Sequence, residues 1–168
     1  MSVTGQMVIG KQLVKGSKAA IYAVNPSTNE QLEPPFLGGS ANEVDQACAL
    51  AEAAFDVYRE TTLEARAAFL EAIAANLVAV GPQIVDRAML ESGLPRPRLE
   101  GELGRTTNQL KLFAEEVRAG RWLGARIDTA IPDRQPLPRS DIRMRFIPLG
   151  PVAVFGASNF PLAFSVAG

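Results

Sequence analysis

Three features of the sequence predict an α/β fold, helix-rich over most of its length and closing on a strand, a tight turn and a helix start. Four apolar stripes at helical spacing lie between Ser40 and Ala119, two of them opened by Ser/Thr-x-x-Glu capping boxes. Pro132, Pro136 and Pro138 then exclude helix and favour an extended connection. Finally, Val152-Ala153-Val154-Phe155 is a continuous apolar run of the kind found in strands covered on both faces, followed by Gly156-Ala157-Ser158 and by Pro161, which suits a first helical turn.

The elements follow in chain order. Met7 to Val14, interrupted by Gly10, and Lys18 to Val24 are β-prone and suggest one peripheral hairpin. Asn25 to Asn29 reads as a turn, and Pro34-Pro35 with Gly38-Gly39 predicts an irregular segment up to Ser40. The Ser40/Glu43 box opens a helix whose stripe is Val44, Ala47, Cys48, Ala51, Phe55 and Tyr58. Thr61 and Glu64 open a second, with Ala67, Leu70, Ile73, Ala74, Leu77 and Val80 on one face before Gly81-Pro82. Ile84, Val85, Ala88 and Met89 mark a third, closed by Gly93 and Pro95.

The fourth helix runs from Arg96 to Ala119, a length of roughly 36 Å. Leu99, Leu103, Thr106, Leu110, Phe113 and Val117 form a narrow seam suited to helix packing, and Glu100, Glu102, Arg105, Lys111, Glu115 and Glu116 read as a solvated face. From Asp141 to Phe146 polar and apolar residues alternate, so one strand face should pack while the other carries Arg143 and Arg145.

Composition narrows the chemistry. With 168 residues, 47% apolar and 21% charged, the chain has the makings of a soluble globular core. A net charge of −1 gives no footprint for nucleic acid or an anionic membrane, and no apolar run approaches the roughly 20 residues of a membrane span, so a cytoplasmic protein is expected. Cys48 is the only cysteine and histidine is absent, which removes internal disulfides, Ser/His/Asp and Cys/His arrangements and the common zinc sites; no metal is expected. Read from these residues alone, Asn159 is a cap for the following helix, Phe155 to Ser158 a strand-to-helix turn, and Phe160 and Ala163 helix packing.

Gly150-Pro151-Val152-Ala153-Val154-Phe155-Gly156-Ala157-Ser158-Asn159-Phe160-Pro161 resembles a segment of the NAD(P)-dependent aldehyde dehydrogenase superfamily. Upstream, Asn25-Pro26-Ser27-Thr28, Arg66 with Leu70, and Glu91-Ser92-Gly93-Leu94-Pro95 are similar to further family patterns, with Ser92 and Leu94 where Thr and Lys are usual. Ala157 and Ser158 stand where the commonest form has Pro-Trp, and the resulting Gly-Ala-Ser-Asn-Phe-Pro-Leu-Ala-Phe-Ser resembles a subgroup of 2-oxoglutarate semialdehyde and NADP-preferring fatty aldehyde dehydrogenases.

The resemblance implies oxidation of an aldehyde, a semialdehyde in particular, through a cysteine thiohemiacetal, with NADP or NAD as cofactor and NADP the first expectation. Asn159 would donate its side-chain amide to the developing oxyanion, a contribution of about 2.7 to 4 kcal/mol in other enzymes. Phe155, Gly156, Ala157 and Ser158 would lie along the dinucleotide, and Phe160 and Ala163 would face the substrate. Residues 1–120 would form the hairpin and four-helix part of the cofactor domain, 121–147 a strand region joining subunits of a dimer or tetramer, and 148–168 the first strand-turn-helix of a Rossmann-like core. The nucleophilic Cys and general-base Glu lie downstream in the family and Cys48 does not match the former, so this chain is expected to be a truncated N-terminal part, inactive alone, with its last helix cut at Gly168. The alternative is a non-catalytic interaction module that binds a partner through the Arg96 to Ala119 seam.

Overall fold

A computed structural model describes residues 3–167, the side chain of 167 excepted. The expected cut of the last helix at Gly168 lies outside the described residues. Two hairpins stand at the start where one was expected: β1 (Met7–Ile9) pairs antiparallel with β2 (Gln12–Val14), and β3 (Ala20–Val24) with β4 (Gln31–Leu37). Gly10, at φ 61°, supplies the left-handed backbone of the first turn. The second turn is the expected Asn25 to Asn29 stretch, where Asn25 Oδ1 accepts from the Ser27 N–H. The segment expected to be irregular is thus strand β4. Its Pro34 and Pro35 fall opposite the register shift between Ile21 and Ala23, where the missing N–H groups interrupt no regular ladder.

The capping box places α1 (Ala41–Arg59), with the Ser40 N–H donating to the Glu43 carboxylate and holding its pKa below the ordinary value. The stripe on α1 is not buried, however. Val44, Cys48 and Tyr58 are exposed and the helix has no buried residue, because its main contact is the short strand β1. α2 (Leu63–Ala79) is capped one residue later than expected: Thr62 Oγ1 accepts from the Ala65 N–H, and Thr61 instead donates to the Tyr58 carbonyl. Glu64 is thereby free to pair elsewhere. Pro82 lies in the first turn of α3 (Gly81–Ser92), which ends at Gly93 with φ 69°.

α4 (Arg96–Ala119) matches its expected bounds, and Gly120, φ 69°, ends it. It is the centre of the molecule. Leu99 is fully buried with Val85 and Ala88, while Met89, Leu94 and Leu103 pack around this cluster. Ala67 and Ala74 of α2 are also fully buried, as is Ala114 of α4, and these small residues line the most extensive helix pairing in the fold. Buried Thr106 and Thr107 are satisfied inside α4, donating to the Glu102 and Leu103 carbonyls. Phe113, expected in the seam, is exposed. Among the described residues no single helix is long and apolar enough to cross a membrane; α2 and α3 qualify only as a pair bent by 68°.

Arg118 ties α4 to α2, donating to both Glu64 and Glu71. Its hydrogen bonds to Glu64 hold that carboxyl below its ordinary value. A value lower in the folded than in the unfolded state means the tie is fully present above the unfolded pKa, about 4.3, and is lost as pH falls through the folded one. All three side chains are exposed, so its effect on stability is small. An NMR titration is expected to place the Glu64 midpoint below that of an unfolded-peptide glutamate, with Arg118→Ala raising it; equal midpoints in both proteins would remove the pairing from solution.

After a 3-10 turn at Arg121–Leu123, β5 (Arg126–Asp128) pairs antiparallel with β6 (Ile142–Met144). No face of β6 packs: Ile142, Met144 and Phe146 are all exposed, since this ribbon has no third layer among the described residues. Arg143 pairs with Asp141. The run 152–155 is likewise not a buried strand. It is exposed and belongs to none of the sheets, with Val152 77% and Phe155 89% exposed, because no described strand lies alongside to complete a ladder. A short helix, α5 (Ala163–Ala167), follows two residues later than Pro161 suggested.

Candidate functional site

The segment from Phe155 to Ala163 is held by α4. The turn itself is closed by one backbone bond, from the Phe160 N–H to the Ala157 carbonyl at 3.2 Å. Arg98, in the first turn of α4, donates from Nη2 to the Asn159 carbonyl at 2.7 Å and lies over the Phe160 ring, 4.8 Å from its centroid. One helical turn on, Glu102 accepts at Oε1 from the Leu162 N–H at 2.8 Å and the Ala163 N–H at 2.9 Å. Glu102 is 6% exposed, so the expectation that it belongs to the solvated face is corrected. Two unpaired N–H groups at the start of α5 draw its carboxylate inside.

Asn159 is exposed, and among the described residues nothing engages its side-chain amide. It does not cap α5; Glu102 satisfies that start instead. The amide is thus a neutral donor carried on a backbone fixed at its own carbonyl. Phe155, Gly156 and Ser158 are exposed and Ala157 is half-buried. A Cβ at Gly156 would come within 2.5 Å of Ser165 Oγ on α5, which could turn aside only by giving up its bond to the Pro161 carbonyl.

Ser158, Pro161 and Leu162 form one wall of a cleft of about 600 Å³ whose other walls include Val8 and Leu13 of the first hairpin and Ile84 of α3. Asn159 and Phe160 do not line it. Phe160 is half-buried, with its ring 5.1 Å from that of Phe164. Ala163 is 4% exposed and its backbone faces Glu102, so it borders the packed side of α5. Asn159 and Phe160 therefore share the Arg98 face, Ser158 opens on the cleft, and Ala163 lies inside. Cys48 is on α1, away from the elements that hold this turn. No group of His, Cys, Asp or Glu suited to a metal ion is found among the described residues.

Sequence reasoning missed Arg98 and Glu102. For Glu102 a signal was present: it stands three residues after Leu99 and four before Thr106, on the same buried stripe, where a carboxylate needs partners.

A helical layer around one long helix, a strand ribbon and an Asn-Phe-Pro turn anchored on that helix thus make up the described residues. The aldehyde dehydrogenase family model matches residues 13–168, and the chain belongs to that family. It is 56% identical, over its whole length, to alpha-ketoglutaric semialdehyde dehydrogenase 2 of Azospirillum brasilense, covering 32% of that protein. It is 49% identical over 95% of its length to the alpha-ketoglutaric semialdehyde dehydrogenase of Acinetobacter baylyi, covering 31% of it. The chain thus spans about a third of the length of these curated relatives.

Among solved structures, aldehyde dehydrogenase 21 from Physcomitrella patens superposes with a TM-score of 0.80 over 96% of this chain and 32% of its own, at 23% identity, a likeness of fold. An NAD-dependent benzaldehyde dehydrogenase from Corynebacterium glutamicum gives 0.69 over 80% of this chain and 28% of its own, at 25% identity. The names of the two curated relatives agree with the subgroup that Gly-Ala-Ser-Asn-Phe-Pro resembles, alpha-ketoglutarate being 2-oxoglutarate.

Proposed function

We propose that this chain forms the N-terminal part of an enzyme that oxidises a semialdehyde such as 2-oxoglutarate semialdehyde to the carboxylic acid, with NADP or NAD as hydride acceptor. The observation that carries the reading is the state of Asn159: its backbone is fastened by Arg98 while its side-chain amide is unengaged and exposed. A neutral amide so placed donates a hydrogen bond to an oxygen on which negative charge develops, and it does not titrate near neutral pH. Two relatives named for a semialdehyde of this class support the substrate.

The backbone from Phe155 to Ser158, exposed except at half-buried Ala157 and tied in the turn only through the Ala157 carbonyl among the described residues, suits a dinucleotide, since its small residues leave the other N–H and C=O groups open to close approach. NAD(P) bound there supplies the hydride acceptor. Ser158 meets the cleft side of the turn, and Phe160 gives the aldehyde an apolar wall beside Asn159. The further parts of the reading are a helical portion over 1–120, a ribbon over 121–147 whose exposed strands join copies into a dimer or tetramer, a Rossmann-like core beginning at 148, and a cytoplasmic location. The interaction-module alternative loses most of its surface, because the seam of α4, apart from exposed Phe113, is already packed against α2 and α3.

The test is an absorbance assay of the enzyme carrying this chain at the length of its relatives, supplied with 2-oxoglutarate semialdehyde and with NADP, then NAD. Cofactor reduction is expected, faster with NADP. Absence of reduction with either cofactor, for this and for shorter semialdehydes, would overturn the proposal.

A further inference from the structure

We propose that Arg98 and Glu102 are positioning residues that aim the Asn159 amide from α4, an inference that rests on the oxyanion role given to Asn159 above. The two side chains are four residues apart and so share one helix face. Each grips the backbone on one side of the Phe160-Pro161 step: Arg98 holds the Asn159 carbonyl, and Glu102 holds the N–H groups of Leu162 and Ala163. Apart from these contacts, one 3.2 Å backbone bond closes the turn. The run 152–155 leading into it belongs to none of the sheets among the described residues. The direction in which Asn159 leaves the backbone is therefore set largely by α4.

The two grips differ in kind. Glu102 is buried and serves two backbone donors at once, so its loss strands two N–H groups, one of them on buried Ala163. Arg98 is exposed and adds its guanidinium plane over Phe160, which restrains the ring together with the Asn159 carbonyl. Neither touches the reacting atoms. Because an oxyanion donor acts on charge present only after attack, misdirecting it lowers kcat and leaves KM nearly unchanged.

The experiment is a double-mutant cycle in the enzyme carrying this chain at the length of its relatives, with kcat expressed per titrated active site. Glu102→Leu and Arg98→Met are each expected to lower kcat by about tenfold, with KM within about twofold. Glu102→Gln, which keeps an acceptor oxygen, should recover most of the loss. In an Asn159→Ala background neither Glu102→Leu nor Arg98→Met should lower kcat further, since the group they aim is gone. Effects that multiply with Asn159→Ala, or kcat unchanged in both single variants, would overturn the proposal. Should Glu102→Leu fail to fold, the exposed Arg98→Met carries the same cycle alone. Full activity of Asn159→Ala by itself would instead refute the oxyanion reading, so the two failures are distinguishable.

Discussion

Replacing Asn159 by Ala is expected to lower kcat by on the order of a hundredfold, the usual consequence of removing one preorganised oxyanion donor. Its side chain is exposed and no described residue depends on it, so stability should change little and KM should remain close to that of the parent. Asn159→Asp is informative alongside, because a carboxylate keeps the size but replaces the donor with a negative charge that repels the oxyanion. Steady-state rates of NAD(P)H formation with a semialdehyde, set beside unfolding midpoints, separate chemistry from folding. Turnover within twofold of the parent for Asn159→Ala would remove the residue from the reaction.

The largest expected loss of stability comes from Leu99→Ala. Leu99 is fully buried in the cluster with Val85 and Ala88, and Met89, Leu94 and Leu103 pack against the same group. Truncating such a side chain removes its transfer energy and leaves a cavity, at a cost of about 2 to 5 kcal/mol. Denaturant unfolding should show a lower midpoint with an unchanged slope. A loss below about 1 kcal/mol would mean that the neighbouring side chains collapse into the gap, and that this cluster does not anchor α3 on α4.

The parts of the fold legible in the sequence are those with local causes. α4 could be bounded because Gly93 and Pro95 close the helix before it and Gly120 provides the left-handed residue that ends it, while its Leu and Thr seam repeats at three and four. The Asn-Phe-Pro turn was legible as a candidate site through its motif. The parts that were not legible depend on what lies opposite. β4 was hidden because its two prolines signal irregularity, whereas their position at a register shift is a property of the pair. The α1 stripe and the apolar run 152–155 announce burial, yet burial requires a covering surface that the described residues do not supply. Glu102 was hidden by its type: charge argued for solvent, and only the position of α5 shows that two N–H groups await it. Arg98 carried no local signal, since its partner is a backbone carbonyl 61 residues away.

In α4 the same few residues face both ways. Leu99 points into the core, while Arg98 and Glu102 reach the turn that carries Asn159. A helix advances about 100° per residue, so adding or deleting one residue between Arg98 and Glu102 would swing one grip away from the other by more than a quarter of a circle. Side chains in this stretch are open to change where they meet nothing, as at Gly101, but its length is not. α4 therefore acts as a gauge in which residue count, and not composition alone, sets where the amide donor stands.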